Sequence, residues 1–208
     1  MGRNISAGIQ GGWRLSALGH NAKGYPRRPG APSAHPGAGA TPTEDDVAAY
    51  ERRWPVGTRQ LDVLLYTGLR RGDAVRLGRQ HVRDGTAAIK TEKTGTIVTI
   101  PILPVLAETL AAGPCGDLSF IAGSRGRPMA KASFSNEFAI ACRAAGVPGS
   151  AHGVRKIAAT RAANAGATVA ELEAIFGWSG GKMASHYTKA ADRQRLAKRA
   201  MHKLAEQK

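Results

Sequence analysis

The periodicity of the sequence changes once, in a short stretch between two helical regions, and this change constrains the fold more than any other feature. Residues 80–102 contain runs of β-branched residues around two turn signals, Asp84-Gly85 and Thr94-Gly95. Such glycine-containing dipeptides favour the tight turns of antiparallel hairpins. The stretch therefore predicts a small three-stranded antiparallel meander.

The rest of the chain after residue 40 has helical periodicity. Thr41 or Thr43 predicts a helix N-cap, because a hydroxyl there accepts a hydrogen bond from a free backbone amide, and Trp54-Pro55 predicts the end of that helix. The predicted fold class is therefore α+β, a mostly helical domain with a small sheet near its middle. We predict further helices at residues 58–66, 71–77, 104–112, 130–145, 152–165, 168–176, 180–187 and 189–205.

Residues 1–40 differ in composition from the remainder. They contain nine Gly and four Pro, and the first acidic residue of the chain is Glu44. No helical or strand period is present, which predicts a disordered, basic leader. Its Arg and Lys residues offer contacts to phosphates as a loose arm, and a leader without function is the alternative. We predict that residues 41–208 form one domain.

The charge balance indicates the kind of partner. Lys and Arg total 30 against 15 Asp and Glu, which gives a net charge of +15 and a pI of about 10.6. A surplus of this size favours a polyanion, most often nucleic acid. Two cysteines, Cys115 and Cys142, exclude a disulfide framework, and no zinc-ligand spacing or membrane-length apolar run occurs. The composition predicts a soluble, intracellular, basic domain.

Several residues at predicted element boundaries have side chains suited to chemistry. Each one taken singly is more often a solvated charge or a half-buried anchor than a catalytic group. Their order and spacing together form a specific pattern. These candidates are, in chain order, Arg70, Lys93, His152, Arg155, Trp178 and Tyr187.

This pattern resembles that of the tyrosine recombinases, the site-specific recombinases of the phage-integrase type. TGLR at residues 67–70 resembles the family's TGxR element, and HGVRKIAAT at 152–160 resembles its HxLRHTFAT. IFGWSGGKMASHYTKA at 175–190 resembles LGHSSxxxTxxYxH, with Trp178 in the position of the His. Lys93 is similar to the family's hairpin lysine.

The resemblance covers nearly all of the predicted domain and implies a DNA breaking-rejoining catalytic core. It implies transesterification at a DNA phosphodiester without metal or other cofactor. Tyr187 would attack phosphorus and form a 3′-phosphotyrosyl link. A phenol with a pKa near 10 needs a base or a cationic pocket, and His152 is the implied proton acceptor. Lys93 would protonate the departing 5′-hydroxyl.

The resemblance also implies how the phosphate is bound. Arg70 and Arg155 would clamp its non-bridging oxygens, since guanidinium groups stay charged and form paired hydrogen bonds. Trp178 would pack against the site and donate its indole N–H to a phosphate oxygen.

The implied partner is double-stranded DNA, bound by a homotetramer in the cytoplasm at the nucleoid. A narrow apolar stripe of Leu196, Ala200 and Leu204 predicts that residues 190–205 form a helix. This helix docks either on a neighbouring protomer or on its own domain.

Most members of the family carry an N-terminal helical domain that clasps DNA, whereas only the predicted leader precedes the domain here. Three other functions therefore remain open. The chain could be a truncated or catalytically impaired DNA-binding remnant, an enzyme that nicks and religates DNA like a type IB topoisomerase, or a basic RNA-binding protein.

Overall fold

Eight α-helices and one small sheet make up the part of the chain that the structure, a computed structural model, describes. That part comprises residues 41–56, 60–112, 115–116, 118–123 and 126–206, so the predicted leader lies outside it. In chain order the elements are α1 (Glu44–Arg53), α2 (Gln60–Thr67), α3 (Arg71–Ala74), a 3₁₀ turn (Arg79–His81), β1 (Val82–Arg83), β2 (Thr86–Lys90), β3 (Ile97–Pro101), α4 (Pro104–Ala112), α5 (Lys131–Ala144), α6 (Ala151–Asn164), α7 (Val169–Phe176) and α8 (Lys182–Ala205). The predicted fold class is confirmed.

Helix α1 begins and ends where its sequence signals predict. The Thr43 hydroxyl accepts from the Asp46 amide at 3.2 Å, and the Asp46 carboxylate accepts from the Thr43 amide at 2.7 Å. This reciprocal pair satisfies two amides that the first helical turn leaves free. Trp54 is the C-cap, directly before Pro55.

The sheet is the predicted meander, with strand order β1-β2-β3 and antiparallel pairing throughout. Asp84 and Gly85 both have positive φ, 48° and 72°, as a two-residue hairpin turn requires. Alternate residues of β2 and β3, Ile89 and Val98 among them, pair across the strands and face the core. This register places the β2–β3 turn, which contains Lys93, at one end of the sheet.

The core forms where α2 packs against α6 and α6 packs against α8. Leu64 of α2 and Phe134 and Phe138 of α5 are fully buried. Each such side chain stabilises the fold by about 1.5–3 kcal/mol relative to exposure. The Trp54 indole N–H donates to the Ala141 carbonyl at 3.2 Å and ties α1 to α5. Helix α6 is therefore the central element of the core, because it packs against both α2 and α8.

The prediction of two separate C-terminal helices was wrong. One helix, α8, runs without interruption through Lys182–Ala205. The segment contains neither Gly nor Pro, and the backbone hydrogen bonds continue through Thr188, whose side chain is buried. Tyr187 therefore lies in the second turn of a long, rigid element. Of the helices in the described ranges, none is long and apolar enough to cross a membrane.

Candidate active site

All the candidate side chains line a single open cavity of about 800 Å³. They reach it from separate elements: the residue before α3, the β2–β3 turn, the first turns of α6, the turn after α7, and α8. Residues distant in sequence thus converge at one place. The candidates that line the cavity are Arg70, Lys93, His152, Arg155, Trp178 and Tyr187.

Arg155 is the most firmly held of these groups and is only 6% exposed. Its Nη1 donates to the Gly68 carbonyl and its Nη2 to the Phe176 carbonyl, the latter at 2.6 Å. The guanidinium also lies over the rings of Phe176 and Trp178, 5.1 and 5.4 Å from their centroids. Burial, and then the charge of Arg70, lower the pKa of Arg155 to about 10. The group therefore stays charged at neutral pH.

The TGLR element at residues 67–70 forms a turn that places Arg70 at the cavity. The Leu69 amide donates to the Thr67 hydroxyl at 3.3 Å, just after α2 ends. Gly68 has φ +61°, and a Cβ there would lie 2.4 Å from the ring of Phe176. Only glycine therefore fits, and the chain turns sharply so that Arg70 precedes α3.

Arg70 carries an unsatisfied donor. Its Nη1 is buried and has no hydrogen-bond partner in the described structure. A buried polar group without a partner costs about 1–3 kcal/mol, and more when it is charged. Arg70 lines the cavity beside Arg155, so the two guanidinium groups place positive charge where an anion would bind.

An aromatic stack forms another part of the cavity wall. The Phe176 and Trp178 rings lie 4.7 Å apart with an 18° interplanar angle, and Trp178 and Tyr187 lie 5.5 Å apart at 8°. Stacking fixes the ring plane of Tyr187 relative to the cavity. Burial raises the pKa of the Tyr187 phenol, and the charge of Arg155 opposes this rise. The phenol is therefore protonated at neutral pH and needs a proton acceptor to react.

His152 is the imidazole that lines the same cavity as Tyr187. It is exposed in the first turn of α6, which Ser150 caps by accepting from the Gly153 amide at 2.9 Å. Burial lowers the pKa of His152 below its ordinary value of 6.5, and the charges of Lys156 and Arg155 lower it further. The imidazole is therefore mostly neutral at pH 7 and can take up a proton.

Lys93 lies at the exposed tip of the β2–β3 turn. Hydrogen bonds from the Thr91 amide to the Thr96 carbonyl, 2.8 Å, and from the Gly95 amide to the Thr91 carbonyl, 2.9 Å, close this turn. The Glu92 amide donates to the Asp73 carboxylate at 2.8 Å, which anchors the turn to α3.

Asp73 is not among the candidates predicted from the sequence, although its place in the sequence contains a signal for a functional residue. Asp73 is only 1% exposed and is one of few acidic residues in a strongly basic chain, three positions after Arg70. Its carboxylate accepts the Glu92 amide and lies 3.8 Å from an Arg76 Nη. Further lining residues that the sequence analysis did not single out are Arg71, Glu92, Lys131, Ser135, Lys156 and Met183.

The cationic side chains give the cavity its chemistry. In the described ranges, no group of three or more His, Cys, Asp or Glu side chains is arranged to hold a metal ion. Two guanidinium groups, a lysine, a neutral imidazole and a phenol suit a reaction at an anionic phosphate.

The fold and the cavity define the class of protein: the architecture is that of a tyrosine recombinase catalytic domain. The family model of the phage integrase family matches residues 49–194, more than half of the chain. The chain therefore belongs to the phage integrase family. A search of curated proteins found no match.

Solved structures support the same fold. A lambda integrase dimer bound to a COC′ core site superposes with a TM-score of 0.58 and 21% identity, covering 69% of this chain and 57% of that one. XerA recombinase superposes with a TM-score of 0.63 and 16% identity, covering 79% of this chain and 66% of that one. A lambda integrase tetramer bound to a Holliday junction superposes with a TM-score of 0.56 and 22% identity, covering 70% of this chain and 46% of that one. The chain thus spans less than two thirds of each of these relatives.

Proposed function

We propose that this chain is the catalytic domain of a site-specific DNA recombinase that cleaves DNA through a 3′-phosphotyrosyl intermediate. The observation that carries the proposal is the convergence of all the candidate side chains on one cationic cavity. Membership of the phage integrase family supports the same reaction class.

Phosphate binding is the first step of the proposed mechanism. Arg70 and Arg155, which both line the cavity, bind the non-bridging oxygens of a DNA phosphodiester. Negative charge on these oxygens grows in the pentacoordinate transition state, so fixed guanidinium groups stabilise that state more than the ground state. The Trp178 indole N–H donates to one of the same oxygens. Arg155 needs no reorganisation, because two carbonyls already hold it.

Strand cleavage follows as a transesterification. The Tyr187 oxygen forms a bond to phosphorus, and the bond between phosphorus and O5′ breaks. His152 takes the phenol proton, and Lys93 gives a proton to the departing 5′-oxygen. The phosphotyrosyl ester conserves the energy of the broken bond, so a new 5′-hydroxyl can attack it and religate the strand without ATP.

Double-stranded DNA is the proposed partner, and a homotetramer is the proposed assembly on it. The excess of positive charge suits a DNA backbone, and the similar lambda integrase structures are a dimer on a core site and a tetramer on a Holliday junction. The end of α8 leaves Met201 and Leu204 64% and 60% exposed. These side chains suit docking of the helix on a neighbouring protomer.

A covalent trapping assay tests the proposed function. The protein is incubated with nicked double-stranded DNA from its native genetic neighbourhood, without divalent metal, and the products are separated in SDS. We expect an SDS-resistant protein–DNA adduct that Tyr187→Phe abolishes. Tyr66→Phe is the matched control, because Tyr66 is a half-buried tyrosine that does not line the cavity, and this variant should retain the adduct.

The adduct assay, together with plasmid relaxation and strand exchange, separates the two DNA-directed alternatives. Binding to the DNA without any adduct would indicate a binding-only remnant. An adduct together with relaxation of supercoiled plasmid, but without strand exchange between two DNA molecules, would indicate nicking and religation of the topoisomerase type.

A further inference from the structure

A carboxylate at the mouth of the cavity is unexpected for a site that receives phosphate. Glu92 lines the cavity directly beside Lys93 in the sequence, and its side chain is 49% exposed. It would repel a DNA backbone. Its partner is Lys131, the first residue of α5, whose ammonium donates to Glu92 Oε1.

This ion pair connects two parts of the chain that are distant in the sequence. Glu92 belongs to the β2–β3 turn and Lys131 to α5, 39 residues further along the chain. The pair lies over Gly72, where an added Cβ would be 2.5 Å from Glu92 Oε2 and 3.1 Å from Lys131 Cε. The absence of a side chain at position 72 thus leaves the space in which the two charged groups meet.

The β2–β3 turn is consequently attached through both the backbone amide and the side chain of Glu92. The Glu92 amide is fixed by the buried Asp73 carboxylate, and the Glu92 side chain is fixed by Lys131. The β2–β3 ladder and the hydrogen bond from the Thr91 amide to the Thr96 carbonyl hold the base of the turn. The two attachments of Glu92 add contacts nearer its tip, and the next residue in the chain is Lys93.

We propose that the Glu92–Lys131 ion pair positions the Lys93 ammonium for proton transfer to the departing 5′-oxygen. This inference rests on the proposed function, in which Lys93 is the proton donor. Glu92 and Lys131 are positioning residues, because they act through the placement of Lys93. When the DNA phosphate arrives, the ion pair also neutralises the one exposed carboxylate among the described lining residues.

We expect the ion pair to affect the reaction rate and not the free energy of unfolding. Exposed ion pairs contribute little to stability, and both partners here are more than 40% exposed. A misplacement of a catalytic group by about 1 Å, however, can slow a reaction about 100-fold. Lys93 has no ion-pair partner of its own among the described residues and depends on the backbone of its turn.

Two substrates that differ at one atom distinguish positioning of the proton donor from every other role. One has the normal 5′-bridging oxygen at the cleavage site, and the other has a 5′-bridging sulfur. A thiolate leaves without a proton, because the pKa of a thiol is about 8.5, whereas an alkoxide needs one. A defect in proton donation is therefore rescued by sulfur, and a defect in folding or DNA binding is not.

Single-turnover adduct formation is measured with saturating DNA for wild type, Lys93→Ala, Glu92→Gln and Lys131→Gln. We expect Lys93→Ala to be slowed about 100-fold or more on the oxygen substrate, and Glu92→Gln about tenfold. Both should react within about twofold of wild type on the sulfur substrate. Lys131→Gln should resemble Glu92→Gln, and the double variant should be no slower than either single one, because both remove the same interaction.

Glu44→Gln is the matched control. It removes the exposed ion pair between Glu44 and Arg161, which lies outside the cavity, and should leave both rates unchanged. The inference is overturned if Glu92→Gln is unchanged or faster on the oxygen substrate, since Glu92 then merely repels DNA. Equal slowing on both substrates also overturns it. If wild type forms no Tyr187-dependent adduct with either substrate, the proposed function fails and this inference fails with it.

Discussion

The two ends of the cavity are built in opposite ways. At the α6 end, Arg155 is nearly inaccessible and is held by two backbone carbonyls and two aromatic rings. At the β2–β3 turn, Lys93 is exposed, and its position depends on a short turn, one buried carboxylate and one exposed ion pair.

The difference matches what each end is proposed to do. Charge stabilisation gains most from groups that are fixed before the reaction begins, because no reorganisation is then needed in the transition state. Proton donation requires a donor placed within hydrogen-bond reach of the leaving oxygen, which a residue on an exposed turn can provide. A buried end and an exposed end in one cavity therefore suit a reaction that binds a phosphate tightly and releases a DNA strand.

Substitution of Arg155 by Lys should give the largest effect, because it breaks the rigid end. Lysine keeps the charge but lacks the planar fork that reaches the carbonyls of Gly68 and Phe176 together. We expect adduct formation to slow by about 10²–10³-fold, the range for loss of a transition-state donor. Arg143→Lys, an exposed site on α5, should react as wild type. An Arg155→Lys variant with a folded far-UV spectrum and wild-type rate would contradict the rigid-clamp interpretation.

Gly68→Ala tests whether the rigid end depends on backbone shape. The new Cβ would meet the Phe176 ring at 2.4 Å and would also sit on a backbone with φ +61°. We expect a loss of about 2–4 kcal/mol in the free energy of unfolding, measured by denaturant titration. Gly85→Ala is the matched control, because its φ of +72° imposes the same strain with nothing within 4 Å.

The control should lose only about 1 kcal/mol. The difference between the two variants therefore isolates the contact with Phe176. Equal losses would mean that the left-handed conformation alone requires glycine at Gly68, and that the close packing against Phe176 adds nothing to the stability of the Arg155 end.

The sequence predicts the local features of both ends and not the contacts between elements. The TGLR element before Arg70 and the meander that contains Lys93 are encoded within a few residues of where they form. The Asp73–Glu92 hydrogen bond and the Glu92–Lys131 ion pair join residues 19 and 39 positions apart. Such contacts depend on how the turn, α3 and α5 pack together, which periodicity does not contain. The two helices predicted at 180–187 and 189–205 form the single helix α8, since no Gly or Pro interrupts Lys182–Ala205.

The titration of His152 gives the smallest expected effect. His152 shares α6 with Arg155 but is itself exposed. Its folded pKa is below the ordinary value of 6.5, so at pH 6.5 more than half of the imidazole is neutral and able to accept a proton. The rate of adduct formation at pH 6.5 should therefore exceed half of its value at pH 8 and fall only at lower pH. The free energy of unfolding should also decrease as the pH falls. His152 has the higher pKa in the unfolded chain, so the unfolded chain binds this proton more readily and is favoured at low pH.

Lys156→Gln sharpens this test, because the charge of Lys156 is one cause of the lowered pKa of His152. Removal of that charge should raise the pKa of His152 and move the acid limb of the rate profile to higher pH. Lys198→Gln, which removes an exposed charge far along α8, should leave the limb in place. The profile is measured with saturating DNA, so that weaker phosphate binding does not contribute. If His152→Asn retains the same acid limb as wild type, another group accepts the proton of Tyr187, and the proposed role of His152 is wrong.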